Sequence, residues 1–383
     1  MPLIYMDNAA TSWPKPRVVI DAMMRFSRDI GANPGRSGHR QSIEAGRTII
    51  EAREAVAELF SVSNPLRIIF TKNATEALNI ALYGLLKPGD HVITSSIEHN
   101  SVMRPLRYLE RQGIGLTCVA CSTTGLLDPA DVIASIRPDT RLITMTHASN
   151  VMGTIMPVRE VGRIARSHGI PFLLDAAQTA GSIPIDVEDL SVDILACAGH
   201  KSLFGPQGTG ILYVGKGMES IIAPIMRGGT GSRSESEEQP EGLPDRFEAG
   251  TLNTPGIAGL CAGVRFIVEE GIDRIRSHEE KLTEFMIESL ASCEGVTVHG
   301  CGDAKRQTAV LSISLKGRSL SDAALVLDEE YGILTRPGLQ CAPAAHRTMG
   351  TFPAGSIRLS PGYFTTEEDV AMTVRSLSAI AGD

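Results

Sequence analysis

The sequence lacks three features, and each absence narrows the roles the protein can have. No apolar run is long enough to span a bilayer, which argues against a membrane protein. Positive charge is not in surplus: 36 Lys and Arg against 44 Asp and Glu give a net charge of -8, the opposite of what nucleic-acid binding needs. The start of the chain has no basic region followed by an apolar stretch, so we see no secretory signal and expect a cytoplasmic location.

The cysteines form neither a disulfide framework nor a zinc pattern. There are seven, an odd number, in a chain of 383 residues without a secretory signal. Cys118 and Cys121 make a CxxC pair, but no second pair or nearby histidine follows to complete a zinc site. The pair stands in an apolar stretch typical of a strand, so we predict two buried thiols and no metal site.

Two nucleotide-binding motifs are also missing. The segment CAGHKSLFGPQGTG (197–210) contains a lysine and several glycines, but not in the GxxxxGK[ST] order of a P-loop. No GxGxxG follows the first strand of the repeated units, which disfavours a dinucleotide-binding fold.

The order of apolar runs and helix-like segments predicts an α/β fold. From residue 66 to 215, short and nearly continuous apolar runs alternate with helical segments, a pattern typical of strands buried on both faces of a mostly parallel sheet. An exposed loop follows at 228–245, and the rest of the chain resembles a smaller C-terminal α+β domain. We place the large domain at 18–255 and the small domain at 1–17 and 256–383.

Polar residues follow five predicted strands at their carboxyl ends, where open α/β sheets bind ligands. They are Thr71, Asn73 and Thr75; Glu98, His99 and Asn100; His147, Ser149 and Asn150; Asp175 and Gln178; and His200 and Lys201. We expect them to converge on one crevice. Taken singly, each has a purely structural explanation: Asn73 with Glu76 is typical of a helix cap, and Asp175 can cap local backbone.

Lys201 makes the functional interpretation stronger. Pyridoxal phosphate needs a lysine for its Schiff base, an acid beside its pyridinium nitrogen and an anion site for its phosphate. Lys201, Asp175 and the helix-opening turn Thr71–Glu76 supply these three groups. The sequence therefore favours this cofactor.

The chain resembles the class V aminotransferase family and, within it, the cysteine desulfurases. The resemblance runs through nearly the whole chain, in the motifs DNAATSWPKP, NATEALN, EHN, HASNVMGT, DAAQ, GHKSLFGPQGTG, FEAGTLNT, RPGLQCAP and IRLSPGYFTTEED. It implies a fold-type I pyridoxal-phosphate-dependent transferase, with a mostly parallel seven-stranded sheet in the large domain. It also implies a homodimer whose sites lie at the subunit interface.

The resemblance implies a role for each cofactor-binding residue. Lys201 would bind the cofactor covalently and act as a catalytic base, and Asp175 would hold the pyridinium nitrogen protonated. Gln178 would bond the ring phenolate oxygen, the catalytic His99 would stack on the ring, and Asn150 would lie near the ring and the substrate carboxylate.

The phosphate and the substrate would be held by a second group of residues. Thr75 and His200 would hold the phosphate, with Thr251 contributing across the dimer. Arg358 would bind the substrate carboxylate, because a guanidinium can donate two parallel hydrogen bonds to a carboxylate. Asn8 would lie close to the substrate. Arg336 is predicted to bind substrate as well.

The resemblance implies a reaction that depends on Cys341. A cysteine at this place attacks the sulfur of L-cysteine (or L-selenocysteine), which leaves L-alanine and a persulfide that passes to an acceptor protein. A lone cysteine is often a small buried apolar residue, but the loop setting and the nearby Arg336 favour a reactive thiolate. The short TRPGLQCAP segment is typical of the group II, SufS-like branch.

Two residues depart from the pattern, and other functions stay open. Ala198 stands where the family commonly has Ser or Thr, and Gln340 stands where relatives often have His. The alternatives are a selenocysteine lyase or other C–S lyase, an aminotransferase, or a non-catalytic partner protein of the same fold. The pathway served (iron–sulfur clusters, thiolated RNA or selenium) is not indicated.

Overall fold

The computed structural model describes residues 3–35 and 37–382, in which three β-sheets are surrounded by helices. The strands are β1 Ile4–Tyr5, β2 Ile68–Thr71, β3 His91–Ser95, β4 Gly115–Val119, β5 Thr140–Thr146, β6 Phe172–Asp175, β7 Ile194–Ala198, β8 Gly210–Val214, β9 Val296–His299, β10 Leu311–Leu315, β11 Ile333–Leu334, β12 Arg336–Gly338 and β13 Ser356–Leu359.

Helices cover the sheets and connect most of the strands. They are α1 Arg17–Arg25, α2 Arg40–Leu59, α3 Ala74–Leu85, α4 Asn100–Glu110, α5 Pro129–Ala134, α6 Val158–Ser167, α7 Met218–Ile221, α8 Thr254–Glu270, α9 Ile272–Ala291, α10 Leu320–Tyr331, α11 Pro343–Met349 and α12 Glu367–Gly382. A π-helical turn at Phe26–Ile30 continues α1. No helix among the described residues is long and apolar enough to cross a membrane.

The large sheet has seven strands in the order β2-β8-β7-β6-β5-β3-β4, and only β8 runs against the others. Strands β3, β6, β7 and β8 are buried along their whole length, as expected when helices cover both faces. The predicted α/β fold with a mostly parallel seven-stranded sheet is confirmed.

The prediction of two buried thiols at the edge strand β4 is wrong. Cys118 lies in it and Cys121 follows it, and both thiols are half-buried rather than buried. An edge strand has a neighbour on one side only, so its side chains keep part of their surface in water.

The second half of the chain forms an antiparallel sheet of four strands in the order β12-β13-β10-β9. The N-terminal segment packs beside it: β1 pairs with β11 in a separate two-stranded sheet, and Ile4 and Met6 lie in the apolar cluster of the four-stranded sheet. Helix α8, by contrast, contributes Ile257, Leu260 and Val264 to the apolar cluster of the large sheet. The domain limits, 18–255 for the large domain and 1–17 with 256–383 for the small domain, stay a prediction.

Candidate active site

Eight of the thirteen residues predicted at the strand ends line one cavity of about 160 Å³, whereas Thr71, Glu98, Asn100, His147 and Ser149 are not among its lining residues. Because β5, β6 and β7 are parallel neighbours, their carboxyl ends lie side by side at its wall. The cavity is lined by Asn73, Ala74, Thr75, His99, Ser101, Thr146, Asn150, Asp175, Ala177, Gln178, Ala198, His200 and Lys201. The structure thus brings together seven of the predicted site residues, while their roles in a reaction stay predictions.

The N-terminal segment fixes the backbone of Lys201. The carbonyl of His200 accepts hydrogen bonds from the Ser12 backbone N–H (3.1 Å), the Thr11 hydroxyl (3.0 Å) and the Lys15 ammonium (2.8 Å). The Ser12 hydroxyl donates to the carbonyl of Lys201 itself (2.8 Å). Residues 11–15 therefore hold in place the loop that presents the Lys201 amine.

Burial changes the charge state of the Lys201 amine. It lowers the pKa of Lys201 to about 8, although the nearby Asp175 carboxylate opposes the change. The positive charges of Arg336 and Arg358 lower this pKa further. A larger fraction of the amine is therefore neutral near pH 7 than in an exposed lysine, and a neutral amine can take up a proton or attack a carbonyl.

Asp175 is the buried acid of the cavity. It ends β6, is 3% exposed and accepts a hydrogen bond from the Ala177 backbone N–H at 3.0 Å. Burial raises the pKa of Asp175, which the Ala177 bond and the charge of Lys201 partly offset. A carboxyl in this setting is stabilised as an anion when a cationic nitrogen binds next to it.

The first turn of α3 and His200 form a place for an anion. Asn73 Oδ1 accepts from the Glu76 backbone N–H at 2.9 Å, so the predicted cap is present. Ala74 and Thr75 line the cavity where the helix begins, and the first N–H groups of a helix have no partner within it. The Nδ1 atom of His200 is buried without a partner among the described residues.

Helix α4 joins His99 to the cysteine loop. His99 caps this helix, and its Nδ1 atom accepts a hydrogen bond from the Ser101 backbone N–H at 3.1 Å. The next residue, Asn100, donates its backbone N–H to the carbonyl of Cys341 at 2.9 Å. Burial, and then the charges of Lys201 and Arg336, lower the pKa of His99 to about 3, so its ring is neutral near pH 7.

Cys341 is exposed and stands on a constrained stretch of backbone. Both Gln340 (φ 42°) and Cys341 (φ 58°) adopt the left-handed region, which is uncommon for residues other than glycine. The Asn150 amide, which lines the cavity, donates to the Gln340 carbonyl at 2.7 Å. Two cavity elements therefore hold this loop, at Gln340 and at Cys341.

The Gln340 side chain explains how the loop is fixed without a histidine at that place. Its amide donates to the carbonyls of Arg336 and Ser356, at 3.0 Å each, and its Oε1 accepts from His346 Nε2 at 2.7 Å. The side chain is 3% exposed. These bonds bury the amide beside β13, so Gln340 acts as a support of the loop.

The two predicted substrate-binding arginines differ in their exposure and in their hydrogen bonds. Arg336 is half-buried, and its Nη2 lies 3.6 Å from Cys341 Sγ. Arg358 is 1% exposed, pairs with Asp7 and donates to the Asn150 carbonyl at 3.1 Å. Neither is among the lining residues of the 160 Å³ cavity, although both carry positive charge close enough to act on Lys201.

Two further predicted residues, like Cys341 and the two arginines, are not among the lining residues of this cavity. Asn8 donates to the carbonyls of Tyr5 (3.3 Å) and Ser360 (3.1 Å), and it lines a neighbouring cavity together with Gln178. Thr251 is exposed and lines a third cavity, far along the chain from α3 and α4. Within one chain the structure does not bring Thr251 to the residues that surround Lys201.

Some site residues were missed by the sequence predictions. Ser101 and Thr146 line the cavity, and Lys15 bonds the backbone next to Lys201. The EHNS segment offered a signal for Ser101, since a polar residue in the first turn of a helix after a strand end lies near the same crevice. Nothing local marked Lys15, because its partner is 185 residues away in the sequence.

Comparisons with known proteins agree with this geometry. The family model described as aminotransferase class-V matches residues 4–372. A protein of Methanothermobacter thermautotrophicus named "Probable cysteine desulfurase" is 36% identical, and the match covers 99% of this chain and 95% of that protein. A cysteine desulfurase of Yersinia pseudotuberculosis is 33% identical, with 99% and 93% covered.

A solved structure is similar over the same extent. The apo structure of cysteine desulfurase from Thermococcus onnurineus NA1 superposes with a TM-score of 0.93 at 33% identity, covering 99% of this chain and 95% of that one. The match of the family model extends over all three sheets and the whole cavity. The chain belongs to the aminotransferase class-V family.

Proposed function

We propose that the protein is a pyridoxal-phosphate-dependent cysteine desulfurase. It converts L-cysteine to L-alanine and leaves the sulfur as a persulfide on Cys341. One observation carries the proposal: the exposed Cys341 is tied through its own loop to Asn150 and to helix α4, which line the cavity of Lys201. The named relatives support the same activity.

The residues present fit the cofactor. The cavity contains an amine with a lowered pKa on Lys201, a buried carboxyl on Asp175 and a helix N-terminus at Ala74 and Thr75. The Nδ1 of His200 adds a buried polar atom that has no hydrogen-bond partner in the part of the chain that the structure describes. Lys201 would hold the cofactor covalently, Asp175 its ring nitrogen, and Thr75 with His200 its phosphate.

When bound, pyridoxal phosphate supplies an electron-withdrawing ring that accepts the electron pair left at the substrate Cα. The Lys201 amine takes the Cα proton, which its lowered pKa allows near neutral pH. Asp175 stays ionised next to a cationic nitrogen, and the neutral ring of His99 packs without adding charge. Gln178 and Asn150 orient polar groups of the cofactor and substrate.

Cys341 then carries out the sulfur transfer. Its thiolate attacks the substrate Sγ, so a sulfur–sulfur bond forms while the carbon–sulfur bond breaks. The carbon fragment takes up protons and leaves as L-alanine, and Cys341 keeps the extra sulfur as a persulfide. Arg336 donates a hydrogen bond to the Cys341 Sγ at 3.6 Å and so orients the sulfur, and Arg358 with Asn8 positions the substrate carboxylate.

The finer assignments belong to the same proposal. The short and bonded cysteine loop supports the group II, SufS-like branch. The protein works as a homodimer in which Thr251 completes the phosphate site of the other subunit, and its persulfide passes to an acceptor protein. The domains are 18–255, and 1–17 with 256–383.

Product analysis of two variants and a control tests the function. The purified protein is incubated with pyridoxal phosphate, L-cysteine and dithiothreitol, and alanine and sulfide are quantified. Wild type forms equal amounts of both, and Cys341→Ala and Lys201→Ala each lose at least about a hundredfold in rate. Cys301→Ala, which changes a half-buried thiol elsewhere, keeps the wild-type rate.

Two results would contradict the proposal. Undiminished turnover of Cys341→Ala would mean direct elimination of sulfur from the substrate, as in a C–S lyase. Amination of an added 2-oxo acid by wild type, without sulfide, would instead identify an aminotransferase.

A further inference from the structure

Ser101 lies in the active-site cavity but has no role in the function proposed above. It is the second residue of α4, it lines the cavity, and it contacts two residues that have such roles. Its hydroxyl is 2.9 Å from His99 Nδ1 and 2.8 Å from the Thr75 hydroxyl. The Ser101 side chain therefore links the first turn of α4 to the first turn of α3.

The direction of these hydrogen bonds follows from one fixed donor. The Ser101 backbone N–H points at His99 Nδ1 at 3.1 Å, and a backbone N–H can only donate. Nδ1 must therefore carry a lone pair rather than a proton. The Ser101 hydroxyl, 2.9 Å from the same atom, then donates to it and keeps its own lone pairs free to accept from Thr75.

We propose that Ser101 is a positioning residue of the active site, whose hydroxyl and backbone N–H together hold His99 in the neutral tautomer with its proton on Nε2. The proposal deepens the proposed function, since it assigns how the ring that faces the cofactor site is oriented. With two donors on Nδ1, ring rotation and the opposite tautomer both lose hydrogen bonds. The Nε2–H is then the one polar hydrogen His99 can offer to the cavity.

The role is distinct from ordinary capping of a helix. The N-cap bond to His99 uses the backbone N–H, which any residue but proline would supply at this place. The hydroxyl adds a second donor to His99 and a contact with Thr75 on a different helix. A variant that lacks only the Ser101 hydroxyl keeps the helix cap and loses the two hydroxyl contacts, so it tests the positioning role by itself.

Nitrogen NMR of the cofactor-loaded protein tests the proposal. The histidine rings are labelled with ¹⁵N, and His99 is assigned among the nine histidines as the signal absent from His99→Gln. Wild type should show an acceptor-type Nδ1 and a protonated Nε2. Ser101→Ala should lose this single-tautomer pattern, and Ser101→Thr, which keeps a hydroxyl, should retain it.

Turnover provides a second readout with a matched control. With cofactor content normalised, Ser101→Ala should lower kcat on the order of tenfold, and Ser101→Thr should restore it. Ser135→Ala, which removes a serine hydroxyl bonded only to a helix carbonyl, should change neither kcat nor the His99 signals.

Two outcomes would overturn the proposal. A proton on Nδ1 in wild type would contradict the hydrogen-bond assignment even if Ser101→Ala fails to fold. An unchanged tautomer in a folded Ser101→Ala protein would show that the backbone N–H is sufficient. Neither result needs turnover, so absence of desulfurase activity would refute the proposed function separately.

Discussion

At the scale of single residues, the site depends on side chains whose pKa values are changed by their surroundings. Lys201 and His99 are both less easily protonated than in water, because burial disfavours the charged form of each. Burial raises the pKa of Asp175 instead, because the charged form of a carboxyl is the deprotonated one. In this cavity burial favours the neutral forms of the amine, the imidazole and the carboxyl, and a ligand that places opposite charges beside Lys201 and Asp175 would favour their charged forms.

The pH dependence of cofactor capture follows from the Lys201 amine. With a pKa of about 8, neutral amine increases about tenfold between pH 7 and 9 and changes little above that. The rate at which cofactor-free protein captures pyridoxal phosphate should follow the same curve. Stopped-flow absorbance between pH 7 and 10 measures it, with Lys201→Ala as the control that lacks the phase. A rate that keeps rising to pH 10 would mean an amine with an ordinary pKa.

At the scale of elements, sequence patterns predicted the strand ends but not the contacts between elements. Lys201, Asp175 and His99 each follow an apolar run, so their position at the carboxyl edge could be predicted from local sequence. The pair of Arg358 with Asp7 joins residues 351 apart, and no local pattern encodes such a contact. The EHNS segment gave a local signal for Ser101 itself, but not for the contact of its hydroxyl with Thr75, because that contact joins α3 to α4.

The support of the cysteine loop is the second testable feature at this scale. Gln340→Ala would remove the bond to His346 Nε2 and the two bonds to the carbonyls of Arg336 and Ser356, which should lower the free energy of unfolding by about 1–3 kcal/mol. Alanine formation should slow more than cofactor binding weakens, because the loop carries Cys341 and not the cofactor. Urea unfolding and single-turnover alanine formation measure the two effects.

The matched control for this prediction is an exposed glutamine. Gln112→Ala removes a side chain in solvent at the end of α4 and should change neither the stability nor the rate. If Gln340→Ala is as stable and as fast as wild type, the left-handed backbone at residues 340 and 341 is held by the Asn150 and Asn100 contacts alone.

At the scale of the whole molecule, the cavity around Lys201 in one chain does not include every residue that the proposed function uses. Thr251 is exposed, in a cavity lined also by the buried ion pair of Arg53 and Glu248. Large apolar side chains on α1 and α2 are exposed as well, among them Met24 at 60% and Ile50 at 57%. Exposed apolar side chains of this size are what the interface of the proposed homodimer would bury.

Mixing two inactive variants tests whether Thr251 acts across subunits. Lys201→Ala removes the amine, and Thr251→Asp places a negative charge where a phosphate should bind, so each protein alone should be inactive. In a mixed dimer, one site combines an intact Lys201 from one chain with an intact Thr251 from the other. After unfolding and refolding together at equal amounts, the mixture should recover about a quarter of wild-type sites. If Thr251 instead served its own chain, no mixed dimer would contain a complete site, and the refolded mixture would stay inactive.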